Sequence, residues 1–147
     1  MKMLDALQNI GHLYLDTSPI IYYVEEHPSY IAQMDVLMAH VKQNSIQMIC
    51  SVMTLTEILP RPIRLGQLQL VKDYREILLN STEFKLIPVL EKIAESAAQL
   101  RATYNLKTPD ALHVATAIES GCHAFLTNDL GIKRVIGIRV LVLDELD

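Results

Sequence analysis

The chain predicts an α/β fold: a three-layer α/β/α sandwich around a central, mainly parallel sheet. Two observations carry that expectation. Short apolar runs suited to strands alternate with longer stretches at helical spacing, an order that gives parallel strands joined by right-handed crossovers. Acidic residues also recur where candidate strands give way to the next segment, and in such sheets the site lies beyond the carboxyl ends of the strands. With 147 residues and no repeat, low-complexity tract or linker-like stretch, residues 1–147 read as a single domain able to bury a core without disulfides.

Each element has its own signal. His12-Leu13-Tyr14-Leu15-Asp16 is an apolar run that ends in Asp16-Thr17-Ser18-Pro19. Pro19 to Val24 then reads as a helix, with Ser18 able to cap and Pro19 suited to a first turn. Pro28 to Gln43 places Ile31, Met34, Met38 and Val41 at helical spacing, with Ser29 as the cap and the methionine stripe assigned to core or dimer surface. Ile46 to Ser51 is a strand. A short helix through Leu59 follows, which Pro60 and Pro62 are expected to stop. Leu68, Val71, Tyr74 and Leu78 mark another helix. Phe84 to Val89 is a strand whose Pro88 implies its end or a sheet edge. Glu91 to Tyr104 is a helix with an alanine-rich face through Ala94, Ala97 and Ala98. Thr108-Pro109-Asp110 opens a further helix that ends near Gly121, with Thr108 as its cap. His123 to Thr127 and Ile138 to Leu143 are the closing strands.

Composition narrows the class. Half the residues are hydrophobic and neither Gly (5) nor Pro (6) is abundant, which excludes disordered and fibrous proteins. Cys50 and Cys122 form no metal-type cluster and read as buried free thiols in a reducing compartment. The start, MKMLDALQNI, carries an acid and a glutamine where a signal peptide needs an unbroken apolar stretch, and no run is long enough to span a membrane. The expectation is a cytoplasmic protein with no membrane partner. A net charge of −4 argues mildly against nucleic acid. Acids gathered to hold cations would account for that excess, so composition neither supports nor excludes such a substrate.

Four acids stand out, and each has a bland reading. Asp16 suits an N-cap or a turn before Pro19. Asp110 falls in a first helical turn, where the helix dipole favours an acid by about 0.3–1 kcal/mol. Glu57 completes a capping box, Thr54-Leu55-Thr56-Glu57. If Ser51 caps instead, Glu57 lies in the second turn and is free to point into the crevice; the sequence leaves both open. Asp129 precedes Gly131 and suits a turn. Taken together, the four suit another chemistry. Magnesium and manganese take hard oxygen ligands, with one or two protein carboxylates per ion and the remainder water and phosphate. Such ions activate water and stabilise the leaving oxygen in an in-line displacement at phosphorus. Without cations the carboxylates repel one another.

Other candidates carry less. His113 lies one turn after Asp110, but no partner gives a zinc spacing, so packing or a local hydrogen bond is its reading. His12, His27, His40 and His123 are dispersed. Ser18 and Ser51 belong to no triad motif, and there is no glycine-rich phosphate loop. Arg61, Arg64, Lys133 and Arg134 are candidate phosphate contacts, with plain solvated charge as the equal alternative.

Four segments together resemble the PIN-domain family, in particular the VapC-like toxins of type II toxin–antitoxin pairs. Tyr14-Leu15-Asp16-Thr17-Ser18-Pro19-Ile20-Ile21-Tyr22-Tyr23 is similar to the family's first acidic motif. Ser51-Val52-Met53-Thr54-Leu55-Thr56-Glu57-Ile58-Leu59 resembles its glutamate helix. Leu106-Lys107-Thr108-Pro109-Asp110-Ala111-Leu112-His113-Val114-Ala115-Thr116-Ala117 is the most specific match, and Phe125-Leu126-Thr127-Asn128-Asp129 is the fourth. The resemblance covers about residues 13–142. Met1 to Gly11 lies outside it, as an extra helix or a misassigned start. It implies that Asp16, Glu57, Asp110 and Asp129 are the catalytic, metal-binding acids, with Thr17, Thr127 and Asn128 in support. It further implies endonucleolytic cleavage of RNA with one or two Mg2+ or Mn2+ ions, dimerisation, and inhibition by a small antitoxin. The target RNA is not implied. All four acids are present, which sets the chain apart from inactive relatives.

Competing readings have their own signatures. A haloacid-dehalogenase-like phosphatase would need a second Asp where Ser18 stands, and a receiver domain would need an acidic pair near the first strand. A nuclease acting in RNA processing or on DNA would share the four acids. A non-catalytic binding module would use them only as caps.

Overall fold

Strand β1 (His12–Leu15) is the middle of a five-stranded sheet in the computed structural model, which describes residues 1–147. The strand order is β3-β2-β1-β4-β5, with β2 at Gln47–Ser51, β3 at Phe84–Ile87, β4 at Ala124–Thr127 and β5 at Arg139–Val142. Every pairing is parallel, so the carboxyl ends of all the strands lie along one edge. Tyr14 stands opposite Ile49 on one side and Phe125 on the other.

Side chains along a strand alternate between faces, and here both faces are buried. Leu13, Leu15, Met48, Cys50, Leu126 and Leu141 point into the larger core. It is closed by Met34 and Leu37 of α3 (Ile31–Gln43) and by Tyr74 and Leu78 of α6 (Leu68–Leu79). Tyr14, Ile49 and Phe125 point into the second core. Ile93 and Ala97 of α7 (Glu91–Tyr104) and Ala111, Val114 and Ala115 of α8 (Thr108–Glu119) close that side. The result is the expected three-layer sandwich. Met34 belongs to its core, and Met38 packs against it. The segment before β1 contributes too. Met3 and Ala6 of α1 (Met3–Ala6) are buried, the Met3 N–H donates to the Asp147 carbonyl, and the Asp147 N–H donates to the Met1 carbonyl.

Several boundaries differ from the sequence reading, each for a local reason. Helix α2 runs Thr17–Val24 and is capped by Asp16 rather than Ser18, because the Asp16 carboxylate accepts the Thr17 N–H. Helix α3 begins at Ile31, since residues 27–30 form a separate turn, and Ser29 caps nothing. Lys107, not Thr108, is the N-cap of α8, so Asp110 is its third residue. Pro60 ends α4 (Met53–Ile58) but also starts α5 (Pro60–Arg64). A proline in a first turn lacks only an N–H that would have no helical partner. Helix α7 spans Glu91–Tyr104 as expected and ends where Asn105 takes a left-handed conformation at φ 54°. Pro88 follows the end of β3, which is an edge strand.

Cys50 is buried and Cys122 half-buried; both are free, and burial pushes each thiol up to about 12. No helix is long and apolar enough to cross a membrane.

Alanines let α8 lie close to the sheet: Ala111, Ala115 and Ala117 are fully buried. Ala115→Leu is therefore expected to cost about 1–3 kcal/mol by overpacking. Urea unfolding should show a lower midpoint with an unchanged slope.

Candidate functional site

The acids converge because the topology puts β1 and β4 side by side and α4 and α8 against the same edge. Asp16 is the first residue beyond β1. Its backbone N–H continues the ladder to the Leu126 carbonyl at 2.9 Å. One carboxylate oxygen accepts the Thr17 N–H at 2.9 Å, and the other accepts the Thr127 hydroxyl at 2.8 Å. Asp16 thus caps α2 while its second carboxylate oxygen is held by Thr127 of β4.

Thr127 ties a second acid to the first. Its hydroxyl oxygen also accepts the backbone N–H of Asp129 at 3.0 Å. The Asp129 carboxylate accepts the Gly131 N–H at 2.8 Å, opening a short 3-10 turn over Leu130–Ile132. A Cβ on residue 131 would stand 3.1 Å from that carboxylate oxygen, so glycine leaves the room this turn needs.

Glu57 lies in the second turn of α4. The Ser51 hydroxyl oxygen accepts the Met53 N–H at 3.1 Å, and the buried Thr54 hydroxyl has no partner, so the Thr54 capping box is not formed. Glu57 instead turns to Thr17, whose hydroxyl donates to Oε1 at 2.9 Å, and to His113 Nε2, which contacts the same oxygen. Asn128 points elsewhere. Its amide donates to the Tyr22 hydroxyl at 3.3 Å, and its carbonyl accepts the Asp144 N–H at 3.0 Å. This ties the loop before Asp129 to α2 and the C-terminal segment.

His113 is the residue the sequence reading undervalued. It is buried on α8 with both ring nitrogens engaged: Nε2 at Glu57, and Nδ1 at the Tyr14 hydroxyl at 2.5 Å. Tyr14 in turn accepts the Ser51 N–H at 3.1 Å. The only signal for His113 was its place one turn after Asp110. Tyr14 gave none, since a tyrosine in an apolar strand reads as core.

Electrostatics follow from this packing. Burial raises the proton affinity of Asp110, and the charges of Asp16, Asp129 and Glu57 raise it further against the opposing pull of His113. Burial also opposes ionisation of Glu57, but the hydrogen bond and charge of His113 and the Thr17 hydroxyl outweigh it and hold its pKa low. For His113, burial disfavours the charged ring, yet Glu57, Asp16 and Asp110 more than offset this and hold its pKa above the ordinary histidine value.

Hard oxygen donors are the right chemistry for Mg2+ or Mn2+. No three of the His, Cys, Asp and Glu side chains form a closed cage as they stand. An ion of this class needs none, because one or two carboxylates and several waters suffice. The donor set therefore fits. Among the basic residues, Arg134 is bound to the Gly131 and Tyr104 carbonyls and Lys133 to Glu145, whereas Arg61 and Arg64 are exposed on α5. The largest cavity, about 650 Å³, lies near Met38, Gln47 and Glu83 at the amino ends of the strands, away from the acids.

A parallel sheet with an acid-lined carboxyl edge defines the class, and comparison with known proteins gives the family. The PIN domain family model matches residues 13–138, and the chain belongs to that family, whose members are nucleases. Solved structures share the fold. VapBC2 from Rickettsia felis bound to a DNA fragment from their promoter has a TM-score of 0.73 at 17% identity, covering 89% of this chain and 98% of that one. A toxin–antitoxin complex from Klebsiella pneumoniae has a TM-score of 0.65 at 22% identity, covering 89% and 97%. FitAcB from Neisseria gonorrhoeae has a TM-score of 0.64 at 21% identity, covering 91% and 99%. Comparison with curated proteins finds no match.

Asp110 supplies a test of the electrostatics that needs no substrate. Its folded-state pKa lies above the unfolded value, so the ionised carboxylate destabilises the metal-free fold; the penalty declines as pH falls through the folded value and is gone below the unfolded one. Asp110→Asn should raise the metal-free Tm by a few degrees at neutral pH. The difference from wild type should shrink as pH falls through the carboxylate range, as read by thermal denaturation in EDTA.

Proposed function

We propose that this chain is a divalent-metal-dependent endoribonuclease, the toxin of a toxin–antitoxin pair, acting in the cytoplasm. The observation that carries the reading is geometric: Thr127 ties Asp16 to the backbone of Asp129, Thr17 ties Asp16 to Glu57, and His113, one helical turn after Asp110, stands against Asp16 and Glu57. Acids crowded in this way favour a cation among them. A bound Mg2+ or Mn2+, one or two per site, would supply Lewis acidity and make a bound water a stronger nucleophile at neutral pH.

The protein's own part is positional. Asp16 and Asp110 are the principal ligands in this reading, with Asp129 and Glu57 completing the acidic rim. Thr127 fixes the Asp16 carboxylate and the backbone of Asp129 together. Thr17 orients Glu57 through its hydroxyl and Asp16 through its N–H. Glu57, kept ionised, can accept a proton from the attacking water at its outer oxygen. Arg61 and Arg64 are free to meet RNA phosphates. The partners in this reading are RNA, a small antitoxin protein and a second copy of the chain. Support for the antitoxin comes from the company the fold keeps, VapBC2 and the Klebsiella complex among it.

Labelled RNA incubated with Mn2+ or Mg2+ should be cut by wild type and spared in EDTA. Asp16→Asn and Asp110→Asn should each lower the rate by at least about a hundredfold while remaining folded, more than is usual for losing an outer-sphere partner. Equal cutting by both variants would remove the acids from the chemistry.

A further inference from the structure

We infer that Tyr14 is a positioning residue for Glu57, acting through His113 by fixing which ring nitrogen presents a hydrogen to the carboxylate. The inference rests on the direction of hydrogen bonds in a chain that crosses the protein from β2 to α4. It starts at the Ser51 backbone, whose N–H can only donate. That N–H points at the Tyr14 hydroxyl oxygen at 3.1 Å. Tyr14 is fully buried, so its own hydrogen needs an acceptor, and the partner at hand is His113 Nδ1 at 2.5 Å. A nitrogen that accepts carries no hydrogen. In the neutral ring the single hydrogen therefore sits on Nε2, where Glu57 Oε1 receives it.

Geometry leaves the reverse arrangement costly. A hydrogen on Nδ1 would have to enter the Tyr14 oxygen beside the Ser51 N–H, stranding the tyrosine hydrogen in the core. The ring cannot swing away from this duty. It is 1% exposed, and meets the Tyr14 ring edge-on with centroids 5.8 Å apart. Tyr14 is itself held against Phe125, stacked at 4.9 Å and 6°. A rigid strand residue thus dictates the hydrogen-bonding polarity of a helix residue, which holds Oε1 of Glu57. The consequence for cation binding rests on the nuclease reading above; the placement of the hydrogen does not.

Two measurements test this. Nitrogen-15 NMR of the His113 ring, without metal and at a pH high enough that the ring carries one hydrogen, should show a bare Nδ1 and a hydrogen on Nε2. A neutral ring that carries its hydrogen on Nδ1 would overturn the inference. Mn2+ titrations read by electron paramagnetic resonance should then show about tenfold weaker binding in Tyr14→Phe, as expected for losing an outer-sphere partner. In a His113→Gln background, where no imidazole relays the contact, Tyr14→Phe should change Mn2+ affinity by less than about twofold. A full tenfold loss there, or none in the single variant, would show that Tyr14 does not act through His113. Wild type that shows the inferred ring hydrogens but binds no Mn2+ would sink the metal reading and leave the hydrogen placement standing; Tyr14→Phe failing to fold leaves the wild-type NMR result decisive.

Discussion

Like charge held at one edge of a parallel sheet is the constraint on which the rest of this structure depends. Asp16 and Asp129 lie just beyond neighbouring strands because β1 and β4 pair directly. Asp110 and Glu57 arrive on helices that pack against the same sheet. The protein spreads its answer to the resulting repulsion over many neutral donors. Backbone N–H groups and threonine hydroxyls hold Asp16, Asp129 and Glu57, and one buried histidine sits among the acids. Such bonds orient carboxylates without neutralising them, so much of the negative charge remains at that edge.

The acids proposed for the site also build local structure. Asp16 ends a strand and caps a helix; Asp129 opens a turn; Asp110 occupies a first helical turn, where the dipole favours it. The bland readings of these acids are therefore correct as far as they go. Glu57 differs: it gives up a capping box, leaving the Thr54 hydroxyl unpaired in the core. An unsatisfied buried hydroxyl costs stability, and the fold accepts that cost where Glu57 turns to Thr17 and His113.

Much of the fold was legible because periodicity is a local signal. Helix α7 was readable to the residue, since nothing interrupts its pattern. Caps were harder. Ser18, Ser29 and Thr108 are all plausible N-caps by residue type, but Asp16, Tyr30 and Lys107 hold those positions, and only Asp16 bonds through its side chain. Pro60 looked like a stop because the same ring that cannot continue one helix can begin another. The four candidate acids could be named because each belongs to a short motif. The contacts of His113 and Tyr14 could not. His113 meets Tyr14 across 99 positions of chain and Glu57 across 56, and no local pattern records such contacts.

The most direct test of a cation-binding acidic edge is where a cation goes. Crystals grown with Mn2+ and measured for its anomalous scattering should show density within coordination distance of Asp16 and Asp110. Anomalous density absent from that crevice, with Mn2+ bound elsewhere on the chain or nowhere, would contradict the account.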